Sequence, residues 1–286
     1  MRYEAPVSLE AASALLAEAP AQSFVLAGGT DLLVRMKGGF VEPELIVDIK
    51  HIPDLQELRL DKDGFVIGAA VPCAALGENV ELSAQWPGVV EAANLIGSKQ
   101  IQGRCTIVGN LCNASPAADS VPALVTAAAK VRIRGRKGTR TVAIETIPVG
   151  PGKTSLAKGE FIEAVLLEKR RPRSADAYLR FIPRSEMDIA VVSAGVDLER
   201  DKAGVITKAR VALGAVAPTV MLVEAAAAAI IGSKLEDKAL TALAEACSAA
   251  CQPINDKRGT VEFRTKVAGV LARRAAQIAY QRAGER

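Results

Sequence analysis

A short apolar run, Ser23-Phe24-Val25-Leu26, passes straight into Ala27-Gly28-Gly29-Thr30-Asp31 and then into Leu32–Lys37, a segment with helical character. This strand–glycine–helix order constrains the chain more than any other feature. Glycines accept positive φ and let a backbone approach its neighbours closely. The N–H groups of a first helical turn, reinforced by the helix dipole, favour an anion. The stretch is therefore either a tight turn or a phosphate cradle. Thr30 is placed to cap the following helix or to offer a hydroxyl to a phosphate. The Asp31 carboxylate fits a phosphate only if it points away.

Around this stretch the first 55 residues read as α-β-α-β. Ser8 caps a helix from Leu9 to Ala19, Gly38-Gly39 ends the helix after the glycine loop, and Leu45–Ile49 is a buried strand. Asp48 lies near the distance expected of a ribose-binding acid in a dinucleotide fold. The loop lacks the G-x-G-x-x-G spacing, which argues against a Rossmann site.

Composition narrows the chemistry. The 286 residues suffice for two or three domains, and half are hydrophobic. Only 3% are aromatic, so the core is built from Ala, Val, Leu and Ile. A net charge of +4, from 36 basic and 32 acidic residues, argues against nucleic-acid binding. The basic cluster Arg132, Arg134, Arg136, Lys137 and Arg140 has no interleaved aromatics for base stacking and reads as a solvated turn. His51 is the only histidine, so a histidine-rich metal site is impossible. Five cysteines without paired spacing predict free thiols and a reducing cytoplasm. Cys247 and Cys251, one helical turn apart, have no second pair to complete a metal site, so they read as core or surface thiols. Met1–Pro6 shows no signal-peptide pattern, and no apolar run reaches the ~20 residues of a membrane span.

Further along, Leu58–Leu60 and Phe65–Ala69 predict a hairpin, followed by helices over Ala74–Leu82 and Val89–Ile96. Residues 101–120 read as a long polar loop, dense in short hydrogen-bonding side chains: Thr106, Asn110, Asn113, Ser115, Asp119 and Ser120. Such a loop in an apolar neighbourhood needs partners for its backbone groups, and a polar ligand would supply them. A helix from Pro122 to Ala129 follows, then a hairpin of Lys130–Arg134 and Thr141–Ile144, then a strand over Phe161–Leu167. The charged stretch Glu168–Ser174 marks a boundary. Beyond it, strands at Ala177–Phe181, Ile189–Leu198 and Ile206–Val216 predict an antiparallel sheet, and Thr219–Ile231, Leu235–Ala250 and Val261–Arg282 predict helices.

Three separated motifs combine. They are Ala27–Asp31, then Thr106-Ile107-Val108-Gly109-Asn110 with Asn113–Pro116 and Asp119 behind it, then Tyr178-Leu179-Arg180-Phe181-Ile182-Pro183-Arg184-Ser185-Glu186-Met187-Asp188-Ile189-Ala190. Together they resemble the FAD-binding medium subunits of the molybdenum hydroxylases, the flavoproteins of aerobic carbon monoxide dehydrogenase and xanthine dehydrogenase. Asp256-Lys257-Arg258 and Glu262-Phe263-Arg264 are similar to that family's tail. The likeness covers essentially the whole chain.

The resemblance implies an α+β protein. Its FAD-binding region would be two-part α/β of the PCMH type, with subdomains over residues 1–55 and 56–172. A C-terminal α+β domain over 173–286 would follow. Ala27, Gly28, Gly29, Thr30 and Asp31, with Thr106, Ile107, Val108, Gly109 and Asn110, would line the pyrophosphate of a non-covalent FAD. Asp119 would accept from ribityl or ribose hydroxyls. Tyr178 would lie near the isoalloxazine ring with Arg180 beside it, a cation that would raise the flavin potential. The family usually carries glycine where Val108 stands, so a positive φ there would be strained. No residue is expected to act as an acid or base on a substrate, and no metal or extra iron–sulfur cluster is expected in this chain, because Cys73, Cys105 and Cys112 lack the spacing for one. The resemblance further implies a large molybdenum-cofactor subunit and a small 2Fe-2S subunit as partners, a dimer of heterotrimers, and an external electron acceptor. A stand-alone flavin oxidoreductase acting directly on a small substrate is the alternative. A nucleotide-binding scaffold without redox activity is a second one.

Overall fold

The computed structural model describes residues 1–286. The chain opens with β1 (Arg2–Glu4), α1 (Leu9–Ala17), β2 (Ser23–Leu26), α2 (Leu32–Lys37) and β3 (Leu45–Asp48). Ser8 caps α1 as expected, its hydroxyl accepting from the Ala11 N–H at 3.2 Å. The three strands form a parallel sheet in the order β1-β3-β2, with Tyr3 and Phe24 both in register with Ile46. Sequence reading misses β1, whose three residues are too few to show alternation. All carboxyl ends of a parallel sheet lie on one side, the side where open α/β sheets take ligands. The glycine loop leaves the sheet there, at the end of β2.

The second sheet holds β4 (Leu58–Leu60), β5 (Gly64–Gly68), β6 (Lys130–Gly135), β7 (Gly138–Ala143) and β10 (Phe161–Glu168), in the order β4-β5-β10-β6-β7. A small ribbon of β8 (Pro148–Gly150) and β9 (Lys153–Thr154) precedes β10. Between β5 and β6 run α3 (Cys73–Glu78), α4 (Val80–Gln85), α5 (Pro87–Ala93), α6 (Lys99–Gln102), α7 (Ile107–Cys112) and α8 (Ser120–Thr126). Two expectations are corrected here. The helix expected over Ala74–Leu82 is split at Asn79, whose side chain accepts from the Leu82 N–H at 2.8 Å and starts α4. The expected polar loop over 101–120 is interrupted by the end of α6 and by α7. Thr106 caps α7 through its hydroxyl and Asn110 ties α7 to Ser120, so part of the stretch is ordered locally. One contiguous core, including Val47, Ile67, Leu124 and Val165, lies under both of these sheets.

The C-terminal part is an antiparallel sheet of β11 (Ser174–Phe181), β12 (Val192–Arg200), β13 (Ile206–Gly214) and β14 (Met221–Leu222), covered by α9 (Glu224–Ile230), α10 (Asp237–Ala250) and α11 (Val261–Gly284). The helix expected from Thr219 starts later because Met221 and Leu222 pair with Leu213 and Ala212 as an edge strand. α11 buries Ala268, Ala272, Ala275, Ala276, Ala279 and Ala283. A stripe of alanines lets the helix lie close to the sheet. Within its family-like tail, Arg264 is buried and donates to the carbonyls of Val191 and Ala215 and to Asp256. No helix is long and apolar enough to cross a membrane.

A buried ionic group joins these parts. Arg170 stacks over Trp86 at 3.6 Å and meets Asp176 at 2.9 Å and Asp197 more closely. Asp176 also accepts from the Val89 N–H near the start of α5 at 3.1 Å. Burial pushes the Asp176 carboxyl up to about 6, with Arg170 opposing the shift. The folded state therefore holds a proton on Asp176 that the unfolded chain has released above the ordinary value of 3.8. That contribution to stability falls as pH rises from 3.8 to about 6. Urea unfolding of wild type and Asp176→Asn should show the wild type losing about 2 kcal/mol relative to the variant between about pH 4 and about pH 7. A constant difference across that range would refute the assignment.

Candidate functional site

Gly28 defines the site by how little room it has. A Cβ there would lie 2.0 Å from the carbonyl oxygen of Arg104 and 2.9 Å from the Cα of Cys105. Only glycine allows the two backbones to touch in this way. The contact places Ala27–Asp31 directly beside the segment that leads into Thr106–Asn110. Gly29 takes φ +75°, the left-handed region that glycine enters freely. The N–H groups of Gly28, Gly29, Thr30 and Asp31 make no hydrogen bond within the chain. Neither Thr30 nor Asp31 caps α2 through its side chain, which corrects the capping expectation for Thr30 and leaves its hydroxyl uncommitted.

The second loop has the same character. Cys105 and Arg104 both donate their N–H groups to the Ile101 carbonyl, which fixes the approach. The Thr106 hydroxyl accepts from the Gly109 N–H at 2.9 Å and starts α7. The N–H groups of Ile107 and Val108 have no partner in the chain, and Ile107 is fully buried. A buried donor without an acceptor is costly, so the loop is built for a partner that brings one. Val108 lies in the first turn of α7 and has no positive φ, so it fits where the family usually carries glycine without backbone strain. Asn110 ties this loop onward. Its Oδ1 accepts from both the N–H of Ser120 at 3.1 Å and its hydroxyl at 2.7 Å, which pins α7 to the start of α8.

The next residue in the chain of contacts is Asp119. Its Oδ1 accepts from the Tyr178 hydroxyl at 3.0 Å and its Oδ2 from Arg180 Nη1 at 2.8 Å. Both partners come from β11, so the carboxylate links the loop region to the C-terminal sheet. Burial raises the Asp119 carboxyl, and Arg180 opposes the rise. Burial also raises the Tyr178 phenol well above its ordinary value, so it stays protonated and donates. These contacts use two of the roughly four lone-pair sites of a carboxylate. The third sequence motif folds back as well, with the Met187 N–H donating to the Gly97 carbonyl at 3.2 Å, just before α6. His51 sits exposed at the end of a turn over Ile49–His51.

The structure thus sets Gly28 against the segment that leads into Thr106, ties Asn110 to Ser120, and joins Asp119 to Tyr178 and Arg180. It adds Arg104 and Cys105, whose backbone forms the wall against Gly28. Sequence reading misses both, since a backbone contact leaves no mark on the partner's side chain. The unpartnered donors of two adjoining loops suit the pyrophosphate of an extended dinucleotide.

Comparison with known proteins agrees. The family model for the FAD binding domain in molybdopterin dehydrogenase matches residues 1–167, and that for the CO dehydrogenase flavoprotein C-terminal domain matches residues 177–279. The carbon monoxide dehydrogenase medium chain of Hydrogenophaga pseudoflava is 32% identical over 284 residues, 98% of this chain and 97% of that one. The putative xanthine dehydrogenase FAD-binding subunit of Escherichia coli K12 is 29% identical over 284 residues, 99% of this chain and 97% of that one. A solved structure of the Hydrogenophaga pseudoflava carbon monoxide dehydrogenase superposes with a TM-score of 0.94 at 32% identity, covering 99% of this chain and 98% of its counterpart. Quinoline 2-oxidoreductase from Pseudomonas putida 86 shares the fold, with a TM-score of 0.91 at 24% identity.

The fold is that of an FAD-binding oxidoreductase subunit. The chain belongs to the family of FAD-binding medium subunits of the molybdenum hydroxylases. Gly28→Ala tests the site geometry. It should force the two loops apart, lower stability by about 2 kcal/mol and strip most of the flavin during gel filtration. Gly150→Ala, where a Cβ meets open space, should keep its flavin. Full occupancy in the Gly28 variant would show that the loop contact does not shape the site.

Proposed function

We propose that this chain is the flavin-carrying, electron-transferring subunit of a molybdenum-containing hydroxylase or dehydrogenase complex. It takes electrons from the 2Fe-2S clusters of a small partner subunit and passes them to an external acceptor. A large subunit with the molybdenum cofactor carries out the substrate chemistry, and the complex is a dimer of heterotrimers. The free thiols of all five cysteines support a reducing, cytoplasmic setting. Residues 1–55 and 56–172 are the two FAD-binding subdomains in this reading, and residues 173–286 the C-terminal domain.

The observation that carries the proposal is the meeting of two loops with unpartnered N–H groups at Gly28. Bound FAD supplies the two-electron redox chemistry. The chain supplies placement and field. Ala27–Asp31 and Thr106–Asn110 would hold the pyrophosphate, Asp119 would offer its remaining lone pairs to sugar hydroxyls, and Tyr178 and Arg180 would stand on the ring side of Asp119. The Arg180 charge is balanced by Asp119 at 2.8 Å, so its pull on flavin electrons is weaker than that of a lone cation. No side chain is needed to protonate or deprotonate an organic substrate. No histidine stands in the glycine loop, and binding is non-covalent.

The test is purification with neighbouring subunits intact, followed by acid precipitation and metal analysis. FAD in the supernatant with co-purifying molybdenum and iron is the expected outcome. FAD without metals, together with bleaching of the isolated chain by a small substrate, would point to a stand-alone oxidoreductase instead. In the isolated chain, Asn110→Ala should weaken FAD binding about tenfold while thermal unfolding stays cooperative, since two hydrogen bonds to Ser120 are lost with the side chain. Unchanged affinity in a fluorescence titration would remove Asn110 from the site.

A further inference from the structure

Two thiols stand directly behind the contact at Gly28. Cys73 is the first residue of α3, and its backbone N–H donates to the carbonyl of Cys105 at 2.8 Å. Cys105 is the residue whose Cα Gly28 approaches, and it immediately precedes Thr106, the cap of α7. Both cysteines are buried and both are free. Residues joined by such a backbone hydrogen bond between neighbouring segments have Cα atoms roughly 5–6 Å apart. That falls within the span of about 4.4–6.8 Å that a disulfide bridges.

The sulfurs also interact. The neighbouring sulfurs raise Cys73 and lower Cys105, the latter against burial and the nearby Asp31 charge. Burial pushes the other three thiols up, Cys112 and Cys247 to about 12 and Cys251 to about 11. The thiolate is the nucleophile in thiol chemistry, and Cys105 is the one thiol that its neighbour shifts toward that form. It has a second thiol beside it, where a resolving cysteine belongs.

We infer that Cys73 and Cys105 are a peroxide-sensitive pair that closes to a reversible disulfide and clamps the second loop to α3. In the first step the Cys105 thiolate attacks one peroxide oxygen. An S–O bond forms, the O–O bond breaks, and hydroxide leaves. In the second step the Cys73 sulfur attacks the Cys105 sulfur. The S–S bond forms, the S–O bond breaks, and the departing hydroxide leaves as water with the Cys73 proton. The two sulfurs give up two electrons together, and the peroxide oxygens accept them. Burial of both thiols suits a small neutral oxidant and excludes bulky thiol reagents. The pairing rests on the two sulfurs and not on the proposed cofactor.

The test treats the full chain with hydrogen peroxide under native conditions, blocks remaining thiols, and maps cross-links by mass spectrometry without reduction. Fragmentation is needed because Cys105 and Cys112 share the tryptic peptide that ends at Lys130. A single link from Cys73 to Cys105 is expected, lighter by about 2 Da than the separate peptides and reversed by dithiothreitol. Amide exchange at Thr106–Asn110 should slow about fivefold in the linked form. Cys73→Ser should leave Cys105 as a sulfenic acid, heavier by about 16 Da and trapped by dimedone when the oxidised protein is unfolded in its presence. Folded wild-type protein that forms no such link, that oxidises Cys105 no faster than Cys251, or that exchanges these amides equally in both forms would overturn the inference.

Discussion

The structure depends on a place where two backbones touch. Gly28 lies so close to Arg104 and Cys105 that a single added carbon would overlap a carbonyl oxygen. This contact sets two loops side by side, each with N–H groups that find no acceptor in the protein. The unmet donors of the second loop lie on buried residues, Ile107 and Val108, and are costly there. The loops persist because the elements that hold them are rigid: a parallel sheet whose β3 is buried throughout, and a large aliphatic core beneath the helices. The stability of the scaffold maintains a site that is incomplete without its ligand.

A second set of contacts carries this geometry across the molecule. Asn110 holds Ser120, and the next residue, Asp119, holds Tyr178 and Arg180. Burying Asp119 and Arg180 together is expensive in desolvation, and the short pair with its added phenol bond offsets that cost. What results is a fixed relation between the nucleotide loops and the C-terminal sheet. The Arg170 group with Trp86, Asp176 and Asp197 joins the same parts elsewhere, so the two regions are positioned at two separate places. The proposed electron-passing role would need this constancy, because a redox centre must keep its distance from its partners.

Much of the fold was legible in the residues. Long apolar strands such as β10 and β12 and the amphipathic α10 announce themselves by period, and the Ser8 cap marks α1. Short elements did not. β1 and β14 are too brief for alternation and exist because neighbouring strands offer them hydrogen bonds. Residues 101–120 misled for a related reason. Thr, Asn and Ser are turn formers, but Thr106 and Asn110 act here as helix caps and ties, a choice that local sequence leaves open.

The sequence by itself determined the family and marked the candidate loops, because glycine pairs and small polar side chains answer local backbone needs. Tertiary structure alone decided that Gly28 faces Arg104 and Cys105, that Asp119 is shared between Tyr178 and Arg180, and that Cys73 stands beside Cys105. Each of these is a meeting of residues far apart in the chain. Their distances are set by how sheets and helices pack, and no local pattern encodes them.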